Sequence, residues 1–476
     1  MELTYFGAIA ILVGAMLLFF AHSTLLSLSV FFIPFSGTSV VNITKSASTA
    51  SGLQPWMFFG VLYMAGEILR RPGTRLLPMK SAKWRMLPAK QMLLFFITIL
   101  ASLLMPLWIN GQVSIESPYL IDSSRTPLYF GLMHITGTLF IMFGLLFTCI
   151  LGAKCADPLA LQGYLRLYCW SAFFVCLWGM LQLVLYHLNI AYPAFIFNSS
   201  VSPGAELYAS EYSDWGLKRI SSVSVEPSIL AQFLLTVLPF LLFRIALRKP
   251  LVSRVMDIVI ASTIVITLAL STSTTAYIGL VILLSLVALW THRLRLLRVS
   301  HVAVALCGLV AVVVVVLANP RVQDLLTTDV VGKLSTGSGQ ERSLSISLAL
   351  KYFTEYPLLG LGWGSVSCHD VVFKLLANTG ILGLCSFVTL VTTFLYRLLK
   401  HIRYQPSVAR HGLDAVDSAA CVIAFVVLMM LNAVTEFAYV FGHCWFMLAV
   451  CGGIPLQLRS DCCRKTKLNG NVSYVK

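Results

Sequence analysis

The chain has 476 residues, 58% of them hydrophobic and only 11% charged, with a formal net charge of +15 and a mean hydropathy of +0.86. Soluble domains carry about 25% charged residues, which excludes an ordinary water-soluble enzyme and points to a polytopic membrane protein. The surplus of positive charge suits nucleic acid or anionic lipid, and its distribution decides between them.

Apolar runs of about 20 residues, each long enough to cross a roughly 30 Å hydrocarbon layer, recur along the chain. The weak alternation of a barrel is absent, so the spans are expected to be helices that pair their backbone groups internally. In chain order they fall near 4–21, 55–69, 91–109, 128–151, 165–187, 228–247, 255–272, 275–291, 300–318, 371–397, 416–436 and 438–457. Twelve spans make one all-α transmembrane domain over 1–476 with both termini cytoplasmic. Apolar character continues through Phe32, so 22–38 is open as an extra short span or a re-entrant piece.

Basic residues gather in alternate loops. Arg70, Arg71, Arg75, Lys80, Lys83, Arg85 and Lys90 share one loop, and Arg244, Arg248, Lys249 and Arg254 another. Arg293, Arg295 and Arg298 follow, then Lys400, Arg403 and Arg410, then the tail. This is the positive-inside pattern. Attraction to inner-leaflet lipid explains the charge, and no nucleic-acid partner is expected. The 12 cysteines show no zinc-type spacing and read mostly as small buried apolar residues.

Two long loops are left on the external side. One covers 190–227 and carries Asp214, Arg219 and Glu226; the other covers 319–370. Loops of this length in a compact bundle are usually functional or disordered. The second contains the amphipathic segment SLSISLALKYF, which predicts an ordered helix. Ser338-Gly-Gln-Glu341 reads as a capping box that places Arg342 in the first helical turn, and Pro357 with Gly360, Gly362 and Gly364 stops the helix.

Arg342 beside a helix N-terminus suits a phosphate or diphosphate; the plainer reading pairs it with Glu341 or a lipid headgroup. Arg219, in LKRISSVSVEPS, is either a second diphosphate clamp with Glu226 orienting it or the acceptor, or a membrane-edge anchor whose carboxylate neighbour favours the helix dipole. His369 is the candidate general base, since imidazole takes a proton near neutral pH without a metal; a structural histidine is the alternative. The GLGWGS stretch lacks the Walker lysine and reads as a tight turn. No DxD, HExxH or GxSxG motif occurs. Glu67, Asp257, Glu436 and His443 lie in or at the ends of apolar runs and are suspects on that ground, although snorkelling accounts more cheaply for Glu67 and Asp257.

Together these residues resemble the O-antigen polymerase and ligase superfamily. The resemblance lies in Arg342, in Tyr352-Phe353, in Pro357-Leu358-Leu359-Gly360-Leu361-Gly362-Trp363-Gly364, in His369 and in Thr379-Gly380-Ile381-Leu382-Gly383. RISSVSVEPSILAQ is similar to the family's other arginine-bearing segment, and STSTTA near Ser271 to its polar break between two middle spans. The resemblance implies a GT-C-like, metal-independent, inverting membrane glycosyltransferase without a cofactor. It would act on undecaprenyl-diphosphate-linked glycans at the periplasmic face of a bacterial inner membrane. Arg342 and Arg219 would bind the donor diphosphate and stabilise leaving-group charge. His369 would deprotonate the acceptor hydroxyl or hold it in line, with Glu226, Asp370, Tyr352 and Trp363 contacting substrate. Two departures stand out: Asp370 replaces the usual Asn, and Asn378 an acidic residue. The first bears either on His369 itself or only on a helix cap.

The leading expectation is a polymerase that joins lipid-linked repeat units of O-antigen or exopolysaccharide, with a chain-length regulator protein as a further partner. A ligase moving finished glycan to lipid A-core would use the same residues. A lipid-glycan flippase or secondary transporter is the more distant alternative. The reading requires Arg219, Arg342 and His369 to converge at one external-edge cavity open to lipid.

Overall fold

The computed structural model describes residues 2–43, 51–70, 87–118, 124–201, 218–293, 337–404, 413–433 and 441–470. The expected span 300–318, the loop segment 319–336, and Asp214 and Glu436 lie outside the described residues, as do Arg71, Arg75, Lys80, Lys83, Arg85, Arg295, Arg298 and Arg410.

The chain opens with a short strand, β1 (Glu2–Leu3), and a helix, α1 (Tyr5–Phe20). Thr4 caps α1, its hydroxyl accepting the Gly7 N–H at 2.8 Å. After Ala21 the chain turns back as α2 (His22–Phe31), then forms β2 (Val41–Ile43), β3 (Ser51–Leu53) and α3 (Pro55–Arg70). The α1–α2 corner rests on the last turns of α3. His22 stacks on Tyr63, and Arg70 donates to the Leu18 and Phe19 carbonyls at 2.8 Å each.

The β1, β2 and β3 strands form an antiparallel sheet. It is tied to the segment after Arg219, because the Gly37 N–H donates to the Val223 carbonyl at 2.9 Å. The 22–38 stretch is a short arm that returns the chain, so β1 lies at the end of the bundle that carries Val223. Its ten helical residues rise about 15 Å, too little for a crossing.

Next come α4 (Ala89–Ser102), α5 (Leu104–Ile109), and the hairpin β4 (Ser114–Glu116) and β5 (Arg125–Pro127). They are followed by α6 (Leu132–Cys155), α7 (Pro158–His187) and the short α8 (Ala194–Phe197). Asp157 accepts the Leu159 N–H, with Pro158 at the first helical position, and so starts α7 sharply after α6. Then follow α9 (Pro227–Ala246), α10 (Arg254–Leu270), α11 (Thr274–Arg293), α12 (Gly337–Glu355), α13 (Val371–Tyr404), α14 (Leu413–Asn432) and α15 (Gly442–Gly470). Eleven of the twelve expected spans are thus helices.

Among the described residues, five helices are long and apolar enough to cross a membrane: Ala89–Ile109, Leu132–Cys155, Pro158–His187, Pro227–Ala246 and Val371–Arg403. α9 is the most enclosed, with 83% of its apolar window buried. A helix surrounded by other helices cannot hide a charge in water, and its one buried cation is paired. Arg244 donates to Asp417 of α14 through Nε at 3.0 Å and Nη2 at 2.6 Å. Asp257 is also fully buried rather than snorkelling. It accepts the Leu251 and Val252 N–H groups at 2.7 and 3.1 Å and closes the α9–α10 turn.

The two small sheets depart from the all-helical expectation. Strands of two or three residues are too short to show a period-2 pattern.

Candidate active site

α12 is described from Gly337, so Ser338 to Glu341 are already helical and Arg342 lies beyond the first described turn. The expected capping box does not form the helix start there. One face of α12 is apolar: Leu348, Ala349 and Tyr352 pack with Met105, Ile109, Leu128, Leu361, Val366 and Cys368. This second core lies outside the main bundle core and docks α12 on the β4–β5 hairpin. The Glu116 N–H donates to the Tyr352 hydroxyl at 2.9 Å, and Lys351 Nζ lies 3.0 Å from Glu116 Oε1. That ammonium holds the Glu116 carboxyl below its usual range. Tyr352 is 1% exposed, and its ring serves this packing.

After α12 the chain makes a turn that interlocks with a break in α13. Gly360, Gly362 and Gly364 all have positive φ. Within α13, Gly380 departs from helical geometry (φ 61°, ψ −165°). A break inside a membrane helix frees backbone groups that lipid cannot satisfy, and here the turn satisfies them. The Leu361 and Gly362 N–H groups donate to the Ala377 and Asn378 carbonyls at 2.8 and 3.0 Å, and the Ile381 N–H donates to the Pro357 carbonyl at 2.9 Å.

Asn378 adds a side-chain staple. Its Oδ1 accepts the Val366 N–H at 2.9 Å, and its Nδ2 donates to the Val366 and Lys374 carbonyls at 2.9 and 2.8 Å. An amide does this and a carboxylate does not, which gives the departure at position 378 a physical reason. Trp363 donates its backbone N–H to Ser102 Oγ at 3.1 Å and is 1% exposed, so it too is packing.

The turn delivers His369 and Asp370 to the start of α13. Asp370 is the helix cap, its Oδ1 accepting the Val372 and Phe373 N–H groups at 2.8 and 3.2 Å. Burial pushes its carboxyl above the usual range, and those two N–H groups partly offset the shift. Cys368 is 1% exposed, with its thiol raised chiefly by burial, which fits packing rather than nucleophilic chemistry. Its Sγ lies 3.8 Å from Ser345 Oγ, which donates to the Arg342 carbonyl at 2.8 Å. The turn of α12 that carries Arg342 is thereby brought against the residue preceding His369. Both Arg342 and His369 are half-buried.

Arg219 belongs to a second polar segment at the same end of the bundle. The Ser221 and Ser222 N–H groups donate to Gln182 at 3.2 and 3.0 Å. Ser222 donates to the Val175 carbonyl at 2.7 Å, and Ser224 to the Pro34 carbonyl at 3.0 Å. The serines of SSVSV therefore pay the polar cost of threading buried backbone between α7 and residues 34–37. Arg219 is half-buried before this segment. Glu226 follows it at the N-cap of α9 and accepts from Ser228 at 2.9 Å. Arg342 and His369 thus share one support and Arg219 with Glu226 another.

His134, which the sequence reading passed over, also grips the turn, its Nε2 lying 3.1 Å from Ser365 Oγ. Its only sequence signal is a histidine at the start of an apolar run. His443 lies inside the bundle, 3.4 Å from Gln232. Among the described residues no three His, Cys, Asp or Glu side chains gather so as to hold a metal ion.

Residues 259–388 match the model of the O-antigen ligase family. The match supports the O-antigen polymerase and ligase superfamily. It takes in most of α10, α11, α12, the interlocked turn, His369 and the break in α13, and leaves out Arg219 and Glu226. No curated protein matches the chain. An integral membrane protein with O-antigen ligase or polymerase-type function is consistent with both the helices and the match.

Proposed function

We propose that the protein polymerises undecaprenyl-diphosphate-linked oligosaccharide repeat units by inverting glycosyl transfer at the periplasmic face of the inner membrane. The acceptor sugar hydroxyl attacks the anomeric carbon of the donor glycan. The bond from that carbon to the diphosphate oxygen breaks, and the hydroxyl proton passes to His369. Arg342 and Arg219 bind the diphosphate and balance the charge it gains on leaving. Asp370 holds the start of α13, and so the residue beside it, in place. The observation that carries the reading is the packing of the Arg342 turn against the His369 loop, through Ser345 and Cys368, inside the stretch that matches the family.

The ligase reading is favoured by the family description itself, O-antigen ligase; it changes the acceptor to lipid A-core and leaves the residues in the same roles. A transporter would need freed backbone at a broken helix to meet cargo, whereas the turn already occupies the break at Gly380.

The test is transfer from a purified undecaprenyl-diphosphate oligosaccharide, with chelator present, by wild type, His369→Ala and Arg342→Ala. Laddered lipid-linked products, lost in both variants, are the result expected. A single transfer to added lipid A-core identifies the ligase. Transfer that survives in both variants removes this site from the reaction.

A further inference from the structure

The turn leading to His369 is held from α6 by a side chain that neither the donor nor the acceptor role uses. His134 is 1% exposed and lies in the first turn of α6. Its Nδ1 accepts the Gly131 N–H at 3.0 Å, so that nitrogen carries no proton. Ser365 Oγ donates its single hydrogen to the Leu361 carbonyl at 2.9 Å, so it can only accept from His134 Nε2 at 3.1 Å. The network therefore fixes the Nε2–H tautomer.

Two further contacts hold the ring and the turn together. The ring stacks on Phe130, 17° from parallel with centroids 5.4 Å apart. Gly364 has φ +94°, and an added Cβ there would lie 3.2 Å from the Met133 carbonyl oxygen and 3.6 Å from His134 Cα. One chain of hydrogen bonds thus runs from α6 through His134, Ser365 and Leu361 to the Ala377 carbonyl beside the break in α13.

We infer that His134 is a positioning residue for the transfer reaction, holding through Ser365 the turn that aims His369. This rests on the glycosyl-transfer reading above. The competing role is a plain cap of α6, which uses only Nδ1, and two substitutions separate the halves. Asparagine puts an acceptor where Nδ1 stands and nothing where Nε2 stands. Glutamine puts a donor where Nε2 stands.

The experiment combines transfer kinetics with the rate at which a membrane-impermeant thiol reagent labels Cys368, which is buried beside His369, in purified protein. His134→Asn and Ser365→Ala are expected to lower kcat about tenfold to a hundredfold, the scale of a misplaced catalytic group. KM for the donor should stay within about threefold, and Cys368 should label at least about tenfold faster, the scale of a lost hydrogen bond. His134→Gln should keep both near wild type, and His134→Asn with Ser365→Ala should be no worse than either alone.

Wild-type kcat and labelling in His134→Asn would overturn the inference. If wild type transfers no glycan, the glycosyl-transfer reading fails, and labelling still decides whether His134 holds the turn.

Discussion

Asn378 gives the sharpest test of how the turn is held. It is fully buried, and its three side-chain hydrogen bonds, at 2.8 to 2.9 Å, go to backbone atoms. Asn378→Asp keeps the volume and the acceptor but turns an oxygen toward the Val366 and Lys374 carbonyls. Two hydrogen bonds at about 1 kcal/mol each are lost, and a buried carbonyl left unpaired adds about 1–3 kcal/mol, so the staple weakens by about 3–5 kcal/mol. At 1.4 kcal/mol per factor of ten, local opening of the turn becomes at least about a hundredfold more frequent. Hydrogen exchange read by mass spectrometry on protein in lipid nanodiscs should show this at Leu361, Gly362 and Val366, with the middle of α6 unchanged as control. Exchange at these amides within about threefold of wild type, the scale of a few tenths of a kcal/mol, would refute the staple.

Three more expectations follow from the same packing. Gly380→Ala forces a Cβ into the Leu358 carbonyl at a positive φ and should abolish assembly, read as monodisperse yield, whereas Gly163→Ala, with open space around it, should not. Arg244→Met or Asp417→Leu alone leaves a buried charge and should cost about 3–5 kcal/mol; the double variant should melt much closer to wild type. Asp370 binds its proton more tightly folded than unfolded, because burial raises its pKa. Its contribution is therefore fully present below its unfolded pKa, about 3.9, and declines as pH rises through the folded value. Asp370→Asn loses the proton and that pH dependence together, so the difference in melting temperature between it and wild type should change across that window and level off above it.

The membrane class, most helix positions and the turn after Pro357 were legible in the sequence, because 20-residue apolar runs and the Pro/Gly punctuation are strong local signals. The return of α2 was legible only as one of two open alternatives, because its ten residues share the apolar character of α1 and the break is a single non-helical residue, Ala21. The position of Arg342 was not legible: the sequence offered a capping box, but Ser338 is already helical. At the site, His369 was visible through its place after a glycine-rich turn. Tyr352 and Trp363 entered as substrate contacts only with the family resemblance, and their enclosure by the second core of α12 and by the α4 contact depends on partners distant in the chain. What joins Asn378 to Val366, 12 residues away, and His134 to Ser365, 231 residues away, is tertiary placement that no local pattern encodes.

The central claim is a division of labour, with arginines holding the lipid diphosphate and His369 acting on the acceptor. The most direct measurement is native mass spectrometry of undecaprenyl diphosphate binding to wild type, Arg342→Ala, Arg219→Ala and His369→Ala. Lost or strongly weakened binding in both arginine variants, with wild-type binding in His369→Ala, is the predicted result. Wild-type binding in all three variants would contradict it.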